Sequence, residues 1–416
     1  MLLSPPSRRS ACGGENEIGG IGKTSPRCEI GGIVRNEACM QATLTQKASK
    51  NGKKKKIKTI GILTGGGDCP GLNAVVRAVT KTAINNYGMN VFGIVDGYMG
   101  LIEKHVRELR FSDVSNILTE GGTILGTSNK ANPSKFPMRL DGKTCMRDVR
   151  ENCVRYAEEI GLDAIVVIGG DGTMSGAAGL AELGLNFMGV PKTIDNDLVG
   201  TEVTFGFNTA VTTAADALDK VHSTASSHHR VMVVEVMGRY AGWIALHSGV
   251  AAGSDVILIP EIPYQLDKVC DFVKERSRRG KRFSIITVAE GATQKGGKMT
   301  VKSTIKDSPD PIRLGGIANK LAYQIEENTN LECRAVVLGH IQRGGTPSCF
   351  DRTLATSFGF FAVEQLMAGK KNRLVVRQKG ELTTIPLSTA ANKVRTVPLD
   401  HHLIQAGKGV GTFFGV

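Results

Sequence analysis

The sequence predicts an α/β protein with largely parallel, helix-covered sheets, and three observations predict it. Short β-branched runs alternate with stretches of helical spacing from Ile57 onward, the pattern of strand, crossover helix and next strand. Glycine-rich turns follow those runs directly, at Gly65-Gly66-Gly67-Asp68 and again at Gly169-Gly170-Asp171-Gly172-Thr173. The composition, 41% hydrophobic and 22% charged over 416 residues, suits buried cores. It excludes a wholly disordered chain, and no apolar run approaches the roughly 18 residues of a membrane helix. At about 100 to 200 residues per domain, two or three compact units are expected.

Residues 1–56 stand apart. They hold eleven Lys and Arg against four Glu, so much of the formal charge of +13 sits there. With glycine patches, a Lys53-Lys54-Lys55-Lys56 run and no periodic apolar face, they are expected to be a disordered basic tail. The whole chain has one Trp and six Tyr, and the lysine run has no interleaved aromatics, so no nucleic-acid partner is predicted. The string Gly19-Gly20-Ile21-Gly22-Lys23-Thr24 lacks both the first glycine of a P-loop, which would fall at Glu17, and a preceding strand, so it reads as coincidence. Nine scattered cysteines without a C-x-x-C pair argue against a disulfide framework or a structural zinc site, and a cytoplasmic location is expected.

Along the remainder, strands are predicted at residues 57–64, 91–95, 164–168, 187–190, 231–236, 256–259, 283–289 and 335–339. Helices are predicted at 72–87, 145–160, 208–223 and 266–279. In open sheets of this kind ligands bind beyond the carboxyl ends of strands, and the chemistry-bearing residues cluster in the loops there. The turn Gly65 to Asp68 opens a helix and offers backbone amides to a phosphate. The turn Gly169 to Thr173 adds a carboxylate, Asp171, able to hold Mg²⁺ or simply to cap the helix. Pro191-Lys192-Thr193-Ile194-Asp195-Asn196-Asp197 carries two carboxylates two residues apart, which can divide the roles of base and metal ligand. Arg230, Arg239, Arg334, His340 and Arg343 stand around two strand ends as a candidate sugar-phosphate pocket. Together these point to phosphoryl transfer, where positioning and charge stabilisation carry the catalysis.

From about residue 57 to 368 the chain also resembles the phosphofructokinase family. The resemblance rests on GGGDCPGLNAVVR, GGTILGT, IGGDGT, GVPKTIDND, SHHRVMVVEVMGRYAGW, AEGA and RAVVLGHIQRGGTP, in that family's order. It implies two Rossmann-like α/β domains with an inter-domain active-site cleft: a larger donor-binding domain at 57–206 plus 342–390, and a smaller sugar-phosphate-binding domain at 207–341 plus 391–416. It implies transfer of the γ-phosphoryl group of ATP to the 1-hydroxyl of fructose 6-phosphate. Asp195 then matches the base, Thr193 a hydrogen-bonding partner of that hydroxyl, and Asp171 and Asp197 the Mg²⁺ ligands. Gly66, Gly170, Asp171, Gly172 and Thr173 match donor-binding positions, and Arg239 and Lys192 groups that stabilise charge on the transferred phosphoryl. Met237, Gly238 and Glu290 match residues against the sugar, and Arg230, Arg334, His340 and Arg343 the 6-phosphate pocket. Arg230 and Arg334 would come from a neighbouring subunit, so a homo-oligomer, dimer or tetramer, with shared active sites is implied.

The donor is written in two departures. Diphosphate-dependent members of the family usually carry a second aspartate after Gly-Gly-Asp, where this chain has Gly172, which leaves room for the α-phosphate of ATP. Lys192 instead resembles diphosphate users and a mixed group of ATP users. A missing carboxylate removes a block whereas an added lysine excludes nothing, so ATP is expected, with diphosphate as the alternative. Arg77 and Asp255 match positions of the family's bacterial effector site, but His222 replaces an arginine there, so inherited effector control is not predicted.

Overall fold

The computed structural model describes residues 57–140, 143–304 and 312–416. The predicted basic tail and the glycine-lysine string at 19–24 lie outside the described residues. In chain order the strands are β1 (Thr59–Thr64), β2 (Asn90–Ile94), β3 (Val106–Glu108), β4 (Phe136–Leu140), β5 (Lys143–Arg147), β6 (Ala164–Gly169), β7 (Phe187–Thr193) and β8 (Phe205–Gly206). They continue as β9 (Val231–Val236), β10 (Val256–Leu258), β11 (Ser284–Ala289), β12 (Val301–Thr304), β13 (Ile312–Leu314), β14 (Cys333–Val337), β15 (Arg373–Gln378) and β16 (Glu381–Pro386). The helices are α1 (Leu72–Tyr87), α2 (Tyr98–Ile102), α3 (Arg150–Glu159), α4 (Asp171–Ala181), α5 (Phe207–His228), α6 (Trp243–Ala251), α7 (Leu266–Arg278), α8 (Ile317–Thr329), α9 (Cys349–Met367) and α10 (His402–Gly409).

Two sheets organise the molecule, as the alternating pattern predicts. The larger has the order β16-β15-β7-β6-β1-β2-β3, with β8 beside β7. Only its outer pairs, β2 with β3 and β15 with β16, are antiparallel. The smaller, β10-β11-β9-β14, is parallel throughout. All six residues of β6 are buried, which is why it reads as a continuous apolar run: helices cover both faces of a parallel sheet. One buried cluster runs from Ile60, Val75 and Phe358 through to Val236, Trp243 and Leu246, so the two sheets share a core. Separate clusters fill their far faces, Leu63, Val167 and Phe187 against Cys153 and Ala177 in one, Val233 and Ile286 against Val269 and Leu321 in the other.

Helix α1 shows how the local code works. Leu72, Val75, Val76, Val79 and Ala83 form a buried stripe at helical spacing. Gly71 caps its start at φ 104° and lies so near Phe205 that a Cβ there would come within 2.8 Å of the ring. Only glycine takes both that conformation and that contact.

The helix predicted at 145–160 is half correct. It begins at Arg150, because residues 143–147 pair antiparallel with β4. The Asp148 carboxylate accepts from the Arg150 amide at 3.0 Å and starts the helix there instead. The strand predicted at 335–339 is shifted to Cys333–Val337, since Gly339–Arg343 winds into a 3₁₀ turn. Among the described residues no helix is long and apolar enough to cross a membrane.

Candidate active site

The carboxyl ends of β1, β6 and β7 lie side by side, in register through Thr64 with Ile168 and Gly169 with Pro191. Their loops carry Gly65 to Asp68, Gly170 to Thr173 and Ile194 to Asp197. In the smaller sheet the ends of β11, β9 and β14 are likewise adjacent, and lead into Glu290, into Met237, Gly238 and Arg239, and into His340 and Arg343. Six strand ends therefore supply nearly all the residues that the motifs single out.

The loop after β7 is held open from within. Thr193 Oγ1 accepts from the Asp195 amide at 3.1 Å and also hydrogen-bonds the Asp197 carboxylate, so its hydroxyl shapes the acidic pair. Asn196 between the aspartates is buried at φ 52°. Its Oδ1 accepts from the Thr204 amide at 3.0 Å, and Thr204 Oγ1 donates to the Thr193 carbonyl at 2.7 Å. Asp195 Oδ1 is buried and has no hydrogen-bond partner. Burial pushes the Asp195 carboxyl up, Arg343 and Lys192 pull it down, and Glu290 and Asp171 push it up again. Asp197 is raised to about 7, by burial first and then by Asp195 and Asp171. These neighbouring carboxylates thus raise one another.

Cations stand beside the acidic loop and grip the first glycine turn. Buried Lys192, whose ammonium desolvation pulls down, donates from Nζ to the Gly67 carbonyl. Arg343 Nη1 donates to the Asp68 carbonyl at 3.0 Å. The first glycine turn is thus pinned by its carbonyls, and the Gly66 amide donates to Ser128 at 3.2 Å. Gly66 sits at φ 79°, the conformation that favours glycine, while a Cβ there would make only ordinary 3.5 Å contacts with Lys192 Nζ and Thr173 Oγ1. Around Gly172, by contrast, a Cβ would meet nothing within 4 Å, and Asp171 is exposed. Glu290 is raised by burial and by Glu235, and lowered by Arg343 and Arg239, which ties Arg239 into the same field. Gly238, at φ 132°, and Gly291, whose Cβ would lie 1.9 Å from the Arg239 carbonyl, hold that loop close.

The cations grouped in the sequence do not all converge within the chain. Arg230 pairs with Glu332 at 2.9 Å and Arg334 pairs with the same carboxylate. Both stand at the amino ends of β9 and β14. Three strand residues and Leu338, about 13 Å of extended chain, separate Arg334 from the turn that carries exposed His340 and half-buried Arg343.

Sequence reasoning missed three supports. Gln342, fully buried in that turn, accepts from the Met237 amide at 3.3 Å and so joins two of the loops. Thr204 closes the acidic loop as described. Arg395 donates to the Asn196 carbonyl from Nε at 3.1 Å and Nη2 at 2.8 Å. Gln342 lies inside a recognised motif, whereas nothing in the spacing around Arg395 marks it.

Comparison with known proteins gives the family. Residues 59–366 match the family model described as Phosphofructokinase. The chain is 51% identical over 360 residues to ATP-dependent 6-phosphofructokinase 2 of Clostridium perfringens, covering 86% of this chain and 98% of that one. It is 48% identical over 363 residues to ATP-dependent 6-phosphofructokinase of Spirochaeta thermophila, covering 87% and 99%. Among solved structures, Pichia pastoris phosphofructokinase in the T-state superposes with a TM-score of 0.69 at 32% identity, over 83% of this chain and 36% of that longer one. With the predicted sheet organisation and ordered motifs now joined by these matches, the chain belongs to the phosphofructokinase family.

Proposed function

We infer that the chain transfers the γ-phosphoryl group of ATP to the 1-hydroxyl of fructose 6-phosphate, giving fructose 1,6-bisphosphate. The observation that carries the reading is Asp195: its buried Oδ1 has no hydrogen-bond partner, and its carboxylate feels the charges of Arg343, Glu290, Lys192 and Asp171. A carboxylate lifted above its ordinary range by burial is a stronger base, and an orphaned oxygen is free to take a proton from a hydroxyl. Lys192 and Arg239 supply positive charge where the transferred phosphoryl carries negative charge. The start of α4, with Gly170, Gly172 and Thr173, offers amides to the donor phosphates, and the open space at Gly172 suits ATP.

Asp171 and Asp197 are the residues that would hold Mg²⁺. Among the described residues no group of three His, Cys, Asp or Glu is arranged to hold a metal alone, which fits an ion that completes its shell with phosphate oxygens and water. When bound it neutralises phosphate charge during transfer. On the sugar side, Met237, Gly238 and Glu290 take the ring, and His340 and Arg343 the 6-phosphate. Arg230 and Arg334, displaced to the other end of the strands, serve that phosphate from a second copy in a homo-oligomer, dimer or tetramer. The two sheets correspond to a donor domain at 57–206 plus 342–390 and a sugar domain at 207–341 plus 391–416, in an enzyme of the cytoplasm.

Asp195→Asn tests the reading. Turnover is expected to fall by about 10² to 10⁴, with the KM for fructose 6-phosphate little changed, because the group acts in the transition state. Turnover near wild type would remove Asp195 as the base.

A further inference from the structure

The segment around Arg395 binds both halves of the site. Its backbone amide donates to the Asp197 carbonyl at 2.6 Å, and Val394 forms an antiparallel bridge with Leu198. Two guanidinium nitrogens converge on the Asn196 carbonyl, and the guanidinium lies 4.5 Å from the centre of the Trp243 ring. Trp243 Nε1 donates to the Arg395 carbonyl at 2.9 Å. Two residues on, the Val397 amide donates to Glu261 at 2.8 Å, and the same carboxylate accepts from the Gly242 amide at 3.0 Å. Gly242 follows Arg239 by three residues. One short strand of chain therefore ties the loop of Asp195 and Asp197 to the loop of Arg239.

We propose that Arg395 is a positioning residue for phosphoryl transfer, holding the Asp195-Asn196-Asp197 loop in register with the Arg239 loop through the Asn196 carbonyl and the Trp243 ring. The proposal rests on the assignment of Asp195 and Arg239 given above. The Asn196 carbonyl, in a residue at φ 52°, takes both Arg395 nitrogens, and only a planar fork can grip that oxygen with two nitrogens while lying over an indole. Lysine offers a single ammonium and no flat face. A loop free to drift by about 1 Å loses roughly a hundredfold in rate through misalignment alone.

The test uses the full chain with ATP, Mg²⁺ and fructose 6-phosphate. For Arg395→Met a fall in kcat of about 10- to 100-fold is expected, with both KM values within about threefold. Arg395→Lys should lie between Arg395→Met and wild type. Because the chain has a single tryptophan, emission from Trp243 should shift to the red as its guanidinium cover is lost. The proposal is overturned if Arg395→Met turns over within about twofold of wild type, if KM rises with kcat unchanged, or if Arg395→Lys equals wild type. Should Arg395→Met fail to fold, Arg395→Lys decides alone: lower kcat at unchanged KM supports positioning, and wild-type kcat refutes it. Asp195→Asn, run beside them, separates the two readings, since an active Asp195→Asn enzyme overturns the base assignment whatever the Arg395 variants do.

Discussion

The two glycine turns are near twins in sequence and opposites in structure. Gly65 to Asp68 has its carbonyls at Gly67 and Asp68 taken by Lys192 and Arg343, so it works as a bracket that fixes two cations. Gly170 to Thr173 leaves open space at Gly172 and an exposed Asp171, the side of the site that the proposed function gives to the donor. The lesson is that a glycine run after a strand specifies only a tight turn. Whether the turn serves the ligand or the scaffold depends on which side chains from other strands reach it, and those come from distant sequence.

Gly172→Asp should break the contrast most severely. A Cβ there meets nothing within 4 Å, and on the proposed function the added carboxylate faces donor phosphate, so the KM for ATP is expected to rise at least about tenfold through like-charge repulsion. Melting temperature should stay near wild type. Unchanged ATP kinetics would show that the open space is not where the donor lies.

Gly169→Ala acts on the strand end instead. Its Cβ would come within 2.3 Å of the Thr173 Cβ, and Thr173 is buried with its carbonyl accepting from Tyr98 at 2.6 Å. A loss of about 1 to 3 kcal/mol in chemical denaturation is expected, against near neutrality for Gly172→Ala. Equal stability of the two variants would dissolve the distinction between the packed glycine at 169 and the open one at 172.

A smaller effect sharpens the role of the C-terminal segment. His247, packed edge-on to Phe207 with ring centroids 5.1 Å apart, is pulled down from 6.5 to about 4, by burial first and then by His401, His402 and Arg395. Its unfolded form binds a proton that the folded form refuses, so stability is complete above pH 6.5 and declines as the pH falls toward 4. His247→Gln should flatten that part of the denaturation profile. An unaltered slope would place the acid sensitivity elsewhere.

Much of this arrangement is legible in the sequence, for a physical reason. β6 and β7 are buried on both faces, so composition alone announces them, and the abrupt change to Gly-Gly-Asp or Thr-Ile-Asp marks their carboxyl ends. The misread start of α3 came from a hairpin, whose register depends on β4 as much as on β5. Thr193 shows a subtler gap: its hydroxyl suggests a substrate contact, yet it is engaged with the Asp195 amide and the Asp197 carboxylate. Arg395 was invisible because its partners are a backbone carbonyl 199 positions away and an indole, and neither leaves a trace in local spacing. The split of Arg230 and Arg334 from His340 and Arg343 was implied by the family resemblance, and strand direction supplies its physical form: amino ends of β9 and β14 against the turn after β14.

If six strand ends assemble a site for ATP and fructose 6-phosphate around Asp195, the donor decides the outcome. The decisive assay measures fructose 1,6-bisphosphate formed by the purified chain with Mg²⁺ and saturating fructose 6-phosphate, with ATP in one series and diphosphate in the other. Turnover with ATP and little or none with diphosphate is the expected result. Turnover with diphosphate alone, or product with neither donor, would contradict it.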